Sequence, residues 1–331
     1  MWYRKHVLSG VRPFDPVSDS KAVIELIALA FGDRLGPDGE IALGEMRRAA
    51  RLASWLGWFY WPVWEDTGFA PGFVWVEEGR VLGNVSLRRA AEWGGFIIGN
   101  LAVHPDWQRR GIASALMEKA LETISVQGGR WIGLEVRHDN RAALSLYERL
   151  GFVEVGRTLH MLRPAGLYYE GRGCRALPAP FVMRRGQKGD RPALLDLLHT
   201  VIPTPQRALL ELRDEQYRPG VSTGTECWWI VENKRKLCGA VRAYHERGKR
   251  PDRLEILVAP GDHEDIEAAL VQQGMASLRS VHKKMVESVL PNPSASLVGA
   301  LESCGFQRLR VLIQMRLDLA RRIPVTVSRH E

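Results

Sequence analysis

The chain is poor in cysteine. Four occur in 331 residues (Cys174, Cys227, Cys238 and Cys304), and no two are spaced as C-x-x-C or as a metal-ligating pair. A disulfide framework and a bound metal are therefore not expected, whereas reduced thiols in a cytoplasmic setting are. No run of about 18 apolar residues is present, so no ordinary membrane-spanning helix is expected. The opening Met1-Trp-Tyr-Arg-Lys5 does not read as a secretory signal. Acidic charge is also in deficit: 46 Lys and Arg face 38 Asp and Glu, a formal net charge of +8. No basic stripe or aromatic-interleaved motif accompanies that charge. It fits an enzyme that takes an anionic cofactor better than a nucleic-acid partner, which is not expected. What is present is an ordinary globular composition, 45% hydrophobic and 25% charged, over a length that suits two domains.

The second half repeats the first at an offset near 155 residues, the mark of a domain duplication. Val74-Trp-Val-Glu-Glu-Gly-Arg-Val-Leu-Gly83 answers to Trp229-Ile-Val-Glu-Asn-Lys-Arg-Lys-Leu-Cys-Gly239, each reading as a hairpin with a polar turn. Leu101–Pro105 answers to Ile256–Pro260, and Leu150-Gly-Phe152 to Cys304-Gly-Phe306, each followed by a last apolar strand, Leu159–Leu162 and Val311–Leu317. Each half reads as strands flanking two or three helices around a mixed sheet. The expected division is 1–165, a Gly- and Pro-rich connection at 166–180, and 181–331.

Between Leu101 and Leu116 an apolar run (Phe96–Val103) passes through a basic, Gly-bearing turn (Gln108–Ala113) into a helix. Ala113, Leu116, Met117, Ala120, Leu121 and Ile124 keep i, i+3, i+4 spacing, so the helix is amphipathic. A helix N-terminus offers unpaired N–H groups and a positive dipole end, which suits a diphosphate. Gly111 permits close backbone approach, and Arg109 and Arg110 add fixed positive charge.

Gln108-Arg-Arg-Gly-Ile-Ala113 resembles the Gln/Arg-x-x-Gly-x-Gly/Ala signature of the GCN5-related N-acetyltransferases (GNAT), with Ala113 where a second Gly is commoner. Asn140-Arg-Ala-Ala-Leu-Ser-Leu-Tyr-Glu-Arg-Leu-Gly-Phe152 resembles the family's second signature. The resemblance implies an α/β (α+β) fold of two tandem GNAT-like domains, each a mixed, mostly antiparallel sheet splayed at its centre and flanked by helices. It implies acetyl-coenzyme A as cosubstrate and no metal. The loop Gln108, Arg109, Arg110, Gly111, Ile112, Ala113 and Ser114 would hold the pyrophosphate. Backbone groups of Leu101, Ala102 and Val103 would grip the pantetheine arm and thioester, the Val103 N–H facing the oxyanion. Asn140 would contact the cofactor as well as cap its helix.

Two further residues would take part in the reaction. Tyr147 would protonate the departing thiolate, although Ala143, Leu146, Tyr147 and Leu150 also form a helical stripe that reads as plain core. Glu135, in the alternating strand Leu134-Glu-Val-Arg137, would take the ammonium proton through water. Its spacing to Tyr147 is similar to that in bacterial acetyltransferases of ribosomal-protein N-termini, yet Leu-Glu-Val also occurs in members using other bases. His104 is a weaker candidate base. The acceptor side is expected from Phe31–Phe73, dense in aromatics (Trp55, Trp58, Phe59, Tyr60, Trp61, Trp64, Phe69) with Glu65 and Asp66 among them, an arrangement that also reads as packing.

Aligned at that offset, Gln108–Gly111 becomes His263-Glu264-Asp265-Ile266, while Glu135, Asn140 and Tyr147 fall opposite Val289, Ser294 and Leu301. The second copy is expected to keep the fold and lose the chemistry. The leading expectation is transfer of an acetyl group to a primary amine, a small molecule or a peptide N-terminus, with the first copy active. A different class stays open, an acyl-coenzyme A-binding regulatory or scaffold protein without turnover. The tandem mycothiol synthases offer a third reading, but their catalytic copy is the C-terminal one. Oligomeric state does not follow from the sequence.

Overall fold

A computed structural model describes residues 9–32, 39, 43–48, 72–167, 177–220, 225–248, 250–261, 264–278 and 283–319. The aromatic residues Trp55 to Phe69, with Glu65 and Asp66, lie outside the described residues, as do Cys174, His263 and positions 168–176 of the connection. Compactness divides the chain into two units that do not follow its linear halves. The first comprises Met1–Leu134, Leu146–Val153 and Arg316–Glu331, and the second Glu135–Ser145 and Glu154–Met315. Among the described residues no helix is long and apolar enough to cross a membrane.

In the first unit, β1 (Ser9–Pro13), β2 (Gly72–Glu77), β3 (Arg80–Arg89) and β4 (Gly95–Val103) follow one another antiparallel. The start of β5 (Trp131–Arg137) then adds parallel to β4. Helix α1 (Pro16–Phe31) starts where Asp15 accepts from Val17 N at 2.9 Å, with Pro16 in the first turn. Its apolar face, Val23, Ile24, Leu26 and Ile27, packs on Val74, Val76 and Ala102. Helix α2 (Ile112–Val126) buries Ile112, Leu116, Met117, Ala120 and Ile124. Ala113 and Leu121, expected on that face, are only half-buried, and Ile112 takes the inward place.

The second unit orders its strands β6 (Val153–Arg163), β11 (Val286–Pro291), β10 (Asp252–Val258), β9 (Lys236–Tyr244), β8 (Glu226–Asn233) and β7 (Phe181–Arg185). All neighbours are antiparallel except β10 with β11. Helices α4 (Arg191–Val201) and α5 (Thr204–Leu209) belong to this unit, with α6 (Glu264–Ser277) and α7 (Ala295–Ser303). Helix α3 (Arg141–Arg149) starts in the second unit and ends in the first. The final strand, β12 (Gln307–Asp318), is likewise divided. In the second unit its Val311 carbonyl accepts from His138 N at 3.0 Å. In the first, Leu319 N donates to Arg130 O at 2.8 Å and the Arg316 guanidinium lies 4.5 Å from the Trp131 ring centroid.

The duplication extends to local detail. Both expected hairpins form, and each turns on two residues with positive φ, Glu78-Gly79 and Lys234-Arg235. That is the backbone that matches the right-handed twist of the flanking strands. Each also has a register shift at the same place, Trp75/Val76 and Val231/Glu232. Near the start of each unit an arginine grips an aspartate at the following helical turn with two bonds: Arg12 to Asp19 at 2.6 and 2.8 Å, and Arg184 to Asp190 at 2.8 and 2.8 Å.

One expectation shifts by a residue. A Cβ on Gly83 would meet Ile112 Cγ2 at 2.7 Å and Leu116 Cδ1 at 2.9 Å, whereas one on Gly239 would meet Leu270 Cδ1 at 2.8 Å and Ile266 Cγ2 at 3.2 Å. Ile266 is thus the counterpart of Ile112, and Asp265, rather than Ile266, stands where Gly111 does. The inward face of the helix fixes this register, since a branched apolar residue must cover the same strand glycine in each copy.

Candidate functional site

In the first unit β4 is irregular where the sequence places the thioester-binding backbone. Its ladder with β3 runs Gly83↔Val103 to Ser86↔Asn100 and resumes at Leu87↔Ile98, so Gly99 is an extra residue and the strand bulges. On its other edge the ladder with β5 ends at Ile98↔Leu134, leaving Gly99–Val103 unpaired there. The Leu101 and Val103 side chains are half-buried and Ala102 is buried in the α1 cluster.

The chain leaves β4 through a short 3-10 turn, Pro105–Trp107, capped by His104, whose Nδ1 accepts from Asp106 N at 3.3 Å. That engagement ties the His104 ring to the turn. Gln108, Arg109, Arg110 and Gly111 follow, all exposed. Arg109 has φ +60° and Gly111 φ +80°, and a Cβ built on Gly111 would meet nothing within 4 Å. The Arg110 guanidinium stacks over Trp107 at 4.5 Å, which fixes its position without a carboxylate. Helix α2 then begins with Gly111 as its N-cap and no side-chain cap, and its first internal bond is Ala115 N to Gly111 O at 3.0 Å. The N–H groups of Ile112, Ala113 and Ser114 precede that bond, and a helix start leaves such donors for an external acceptor.

Beside the bulge the sequence reading missed a polar trio. Asn84 Nδ2 donates to Asn100 Oδ1 at 2.5 Å, Ser86 Oγ donates to the same oxygen at 3.2 Å, and Asn84 is only 2% exposed. Alternation along β3 and β4 was the available signal, since all three side chains share one face.

Tyr147, also in the first unit, is 6% exposed, with its ring 5.9 Å from that of Phe152. Burial pushes its phenol up to about 12. Leu144 and Leu146 are buried beside it in sequence, so the core stripe is real and includes Leu144, while Ala143 and Leu150 are half-buried. Asn140 and Glu135 fall in the second unit. Asn140 caps α3 as expected, its Oδ1 accepting from Ala143 N at 3.2 Å. Glu135 is exposed and accepts at Oε1 from Gln314 Nε2 at 2.7 Å. Gln314 is fully buried; it also donates to Thr158 Oγ1 at 2.9 Å and accepts from Gln206 Nε2 at 3.2 Å. Gln206 in turn accepts from Asn292 Nδ2 at 2.9 Å. The carboxylate therefore sits at the end of a chain of satisfied amides.

In the second copy Ser294 caps α7 as Asn140 caps α3, its Oγ accepting from Leu297 N at 3.0 Å. Gly305 keeps φ +88° against +89° at Gly151, and Phe306 is buried as Phe152 is. The start of α6 differs, carrying Glu264, Asp265 and Glu267 in its first turn. Leu301 is fully buried and Val289 half-buried at the places of Tyr147 and Glu135.

Comparison with known proteins agrees with this arrangement. Residues 41–152 match the family described as Acetyltransferase (GNAT) family. The [ribosomal protein bS18]-alanine N-acetyltransferase of Escherichia coli (strain K12) is 47% identical over 55 residues, 17% of this chain and 37% of that protein. The mycothiol acetyltransferase of Amycolatopsis mediterranei (strain U-32) is 32% identical over 150 residues, 43% of this chain and 46% of that one. The chain thus spans less than half the length of these curated relatives. Among solved structures, a tandem GNAT protein from the clavulanic acid biosynthesis pathway superposes with a TM-score of 0.54 at 15% identity, covering 94% of this chain and 98% of its own. The matched segment contains the basic glycine loop, and the whole-chain superposition extends the fold through both copies. Residues 41–152 thus match the GNAT family, and the whole chain has the fold of a tandem GNAT protein, with acidic residues in place of the loop in its second copy.

Proposed function

We propose that the protein is an N-acetyltransferase that moves an acetyl group from acetyl-coenzyme A to a primary amine by direct attack, with the first copy as the binding copy for the cosubstrate. The observation that carries this reading is the continuous path through Gly99–Ser114: a bulged strand with an unpaired edge, an exposed basic loop, a glycine with open space above it, and an uncapped helix start. Gln108, Arg109, Arg110 and the N–H groups of Gly111–Ser114 fit a pyrophosphate, and a Cβ at position 111 would enter the space that an anion needs. Leu101–Val103 supply backbone groups for the pantetheine arm, and the Val103 N–H faces the thioester oxygen. Asn140 adds a polar contact to the cosubstrate.

Acetyl-coenzyme A supplies an activated carbonyl and a stable thiolate leaving group. Glu135 accepts the ammonium proton, directly or through water; the amine nitrogen then attacks the thioester carbon, and its second proton passes to water as the C–S bond breaks and the sulfur leaves as thiolate. Gln314 holds the carboxylate in place by donating to one oxygen, leaving the other for the proton. Tyr147 donates a hydrogen bond to the departing sulfur. A phenol held at about 12 is always protonated at working pH but is a weaker acid than a free phenol. Hydrogen-bond donation, rather than complete proton transfer to a thiolate, is therefore its larger contribution. The acceptor is a small-molecule amine or a peptide N-terminus.

Release of free thiol on mixing acetyl-coenzyme A with a panel of primary amines and peptides tests the reading. We expect saturable turnover with an amine and, for Tyr147→Phe, a kcat lower by roughly 10²-fold at unchanged cosubstrate affinity. Binding without thiol release across the panel would favour a non-catalytic acyl-coenzyme A-binding protein. A Tyr147→Phe enzyme as fast as wild type would return that residue to the core stripe.

A further inference from the structure

We propose that the second unit binds a small organic ammonium ion with an aromatic or other apolar body in a pocket of its own. The ladder between β10 and β11 is only two pairs long, Asp252↔Val286 and Arg253↔Glu287. A cavity of about 290 Å³ lies against both strands beyond it, lined entirely by residues of the second unit. Its two ends differ in chemistry. One end is aromatic and aliphatic: Tyr217 and Trp228, each 4% exposed, pack with ring centroids 5.9 Å apart, and Leu212 closes the wall.

The other end is ionisable. Glu287 is 2% exposed, with His160 Nδ1 3.4 Å from one carboxylate oxygen and Arg253 Nη2 3.7 Å from the other. Glu135 lines the same cavity, held by the neutral Gln314 amide, and so does Glu255, which accepts from Arg242 Nη1 at 3.3 Å and from Tyr244 Oη at 3.1 Å. Three carboxylates therefore line the cavity with one guanidinium, and the other ionisable lining groups are His160 and the Tyr217 phenol, which burial keeps protonated. A cation is favoured and a phosphate repelled, because charges in a partly desolvated site interact more strongly than in water. Its volume lies at the small end of ligand pockets, which run from roughly 300 Å³ upward, so a coenzyme does not fit and a small amine does. The amine would lie toward Glu135 and Glu287, and its apolar body between Leu212 and the aromatic pair. That the bound amine is also the acceptor rests on the function proposed above; its binding does not.

The test is calorimetric titration of the full chain without any coenzyme A, so that failure of acetyl transfer does not bear on it. The probes are phenethylamine, the neutral phenethyl alcohol and the anionic phenylacetate. We expect one saturable site per chain for the amine, at least about tenfold tighter than for the alcohol, and no binding of the acid. Glu287→Gln and Leu212→Trp, checked for folding by thermal unfolding, should each weaken the amine by about tenfold or more. Where a variant does not fold, the three-probe series on the wild-type chain decides. Equal binding of amine, alcohol and acid would overturn the proposal. So would the absence of saturable amine binding up to about 10 mM, or an affinity unchanged in both folded variants.

Discussion

Tyr147 is the residue on which the core reading and the proposed donor reading meet. It is buried with Phe152 as a core aromatic would be, and the same burial holds its phenol protonated. The consequence for stability has a definite sign. In the unfolded chain a tyrosine loses its proton near pH 10, while in the fold Tyr147 keeps it to about 12. Between those values the unfolded state binds fewer protons, so stability is fully present below about pH 10 and is lost as pH rises toward 12. Tyr147 alone contributes on the order of 2 kcal/mol to that loss. Urea midpoints measured from pH 9 to pH 12 should therefore fall for the wild type and fall less for Tyr147→Phe. Parallel curves would place the phenol in contact with water. Burial also pushes up Tyr217 and Tyr244, so the variant should retain part of the slope.

At the scale of elements, the two hairpins give a cleaner comparison. The first turns on Glu78-Gly79, and the second makes the same turn with Lys234 and Arg235, both at positive φ without a glycine. Left-handed backbone costs roughly 1 kcal/mol or more for such residues. Replacing Lys234-Arg235 by Asn-Gly should stabilise the chain by about 1 kcal/mol, read as a higher urea midpoint at unchanged slope. No gain would mean that Lys234 and Arg235 make compensating interactions. These hairpins, most of the inward stripe of α2, the cap at Asn140 and the basic loop were legible in the sequence because each is fixed by residues within a few positions of one another. The splay of the sheet beside β4 was implied by family resemblance rather than by any local signal, and the place of the bulge at Gly99 emerged only from the strand pairing. What stayed hidden depends on distant partners. Gln314 reads as one polar residue in an apolar strand, and its bond to Glu135 spans 179 positions. The division of α3 and β12 between the units follows from which strands pair, and periodicity within a strand does not specify a neighbour. The one-residue shift at Ile266 arose for a related reason: charge and glycine were compared across the copies, whereas packing on Gly239 sets the register.

Across the whole molecule, the duplication has separated two electrostatic characters within one fold. The first copy presents Arg109, Arg110 and a bare helix start, while the second opens the matching helix with Glu264, Asp265 and Glu267. Negative side chains suit a helix N-terminus as well as an anionic ligand does, so the acidic turn complements the dipole from within the chain, and the second copy is expected to bind no diphosphate. The retained cap at Ser294, the Gly305-Phe306 corner and the repeated hairpin bulge show that loss of the loop did not require loss of the core. Calorimetric titration of the intact chain with acetyl-coenzyme A tests this account most directly. It predicts one site per chain, and no detectable site in the folded Arg109→Glu, Gly111→Val double variant. Two sites per chain, or binding that survives the double variant, would contradict it.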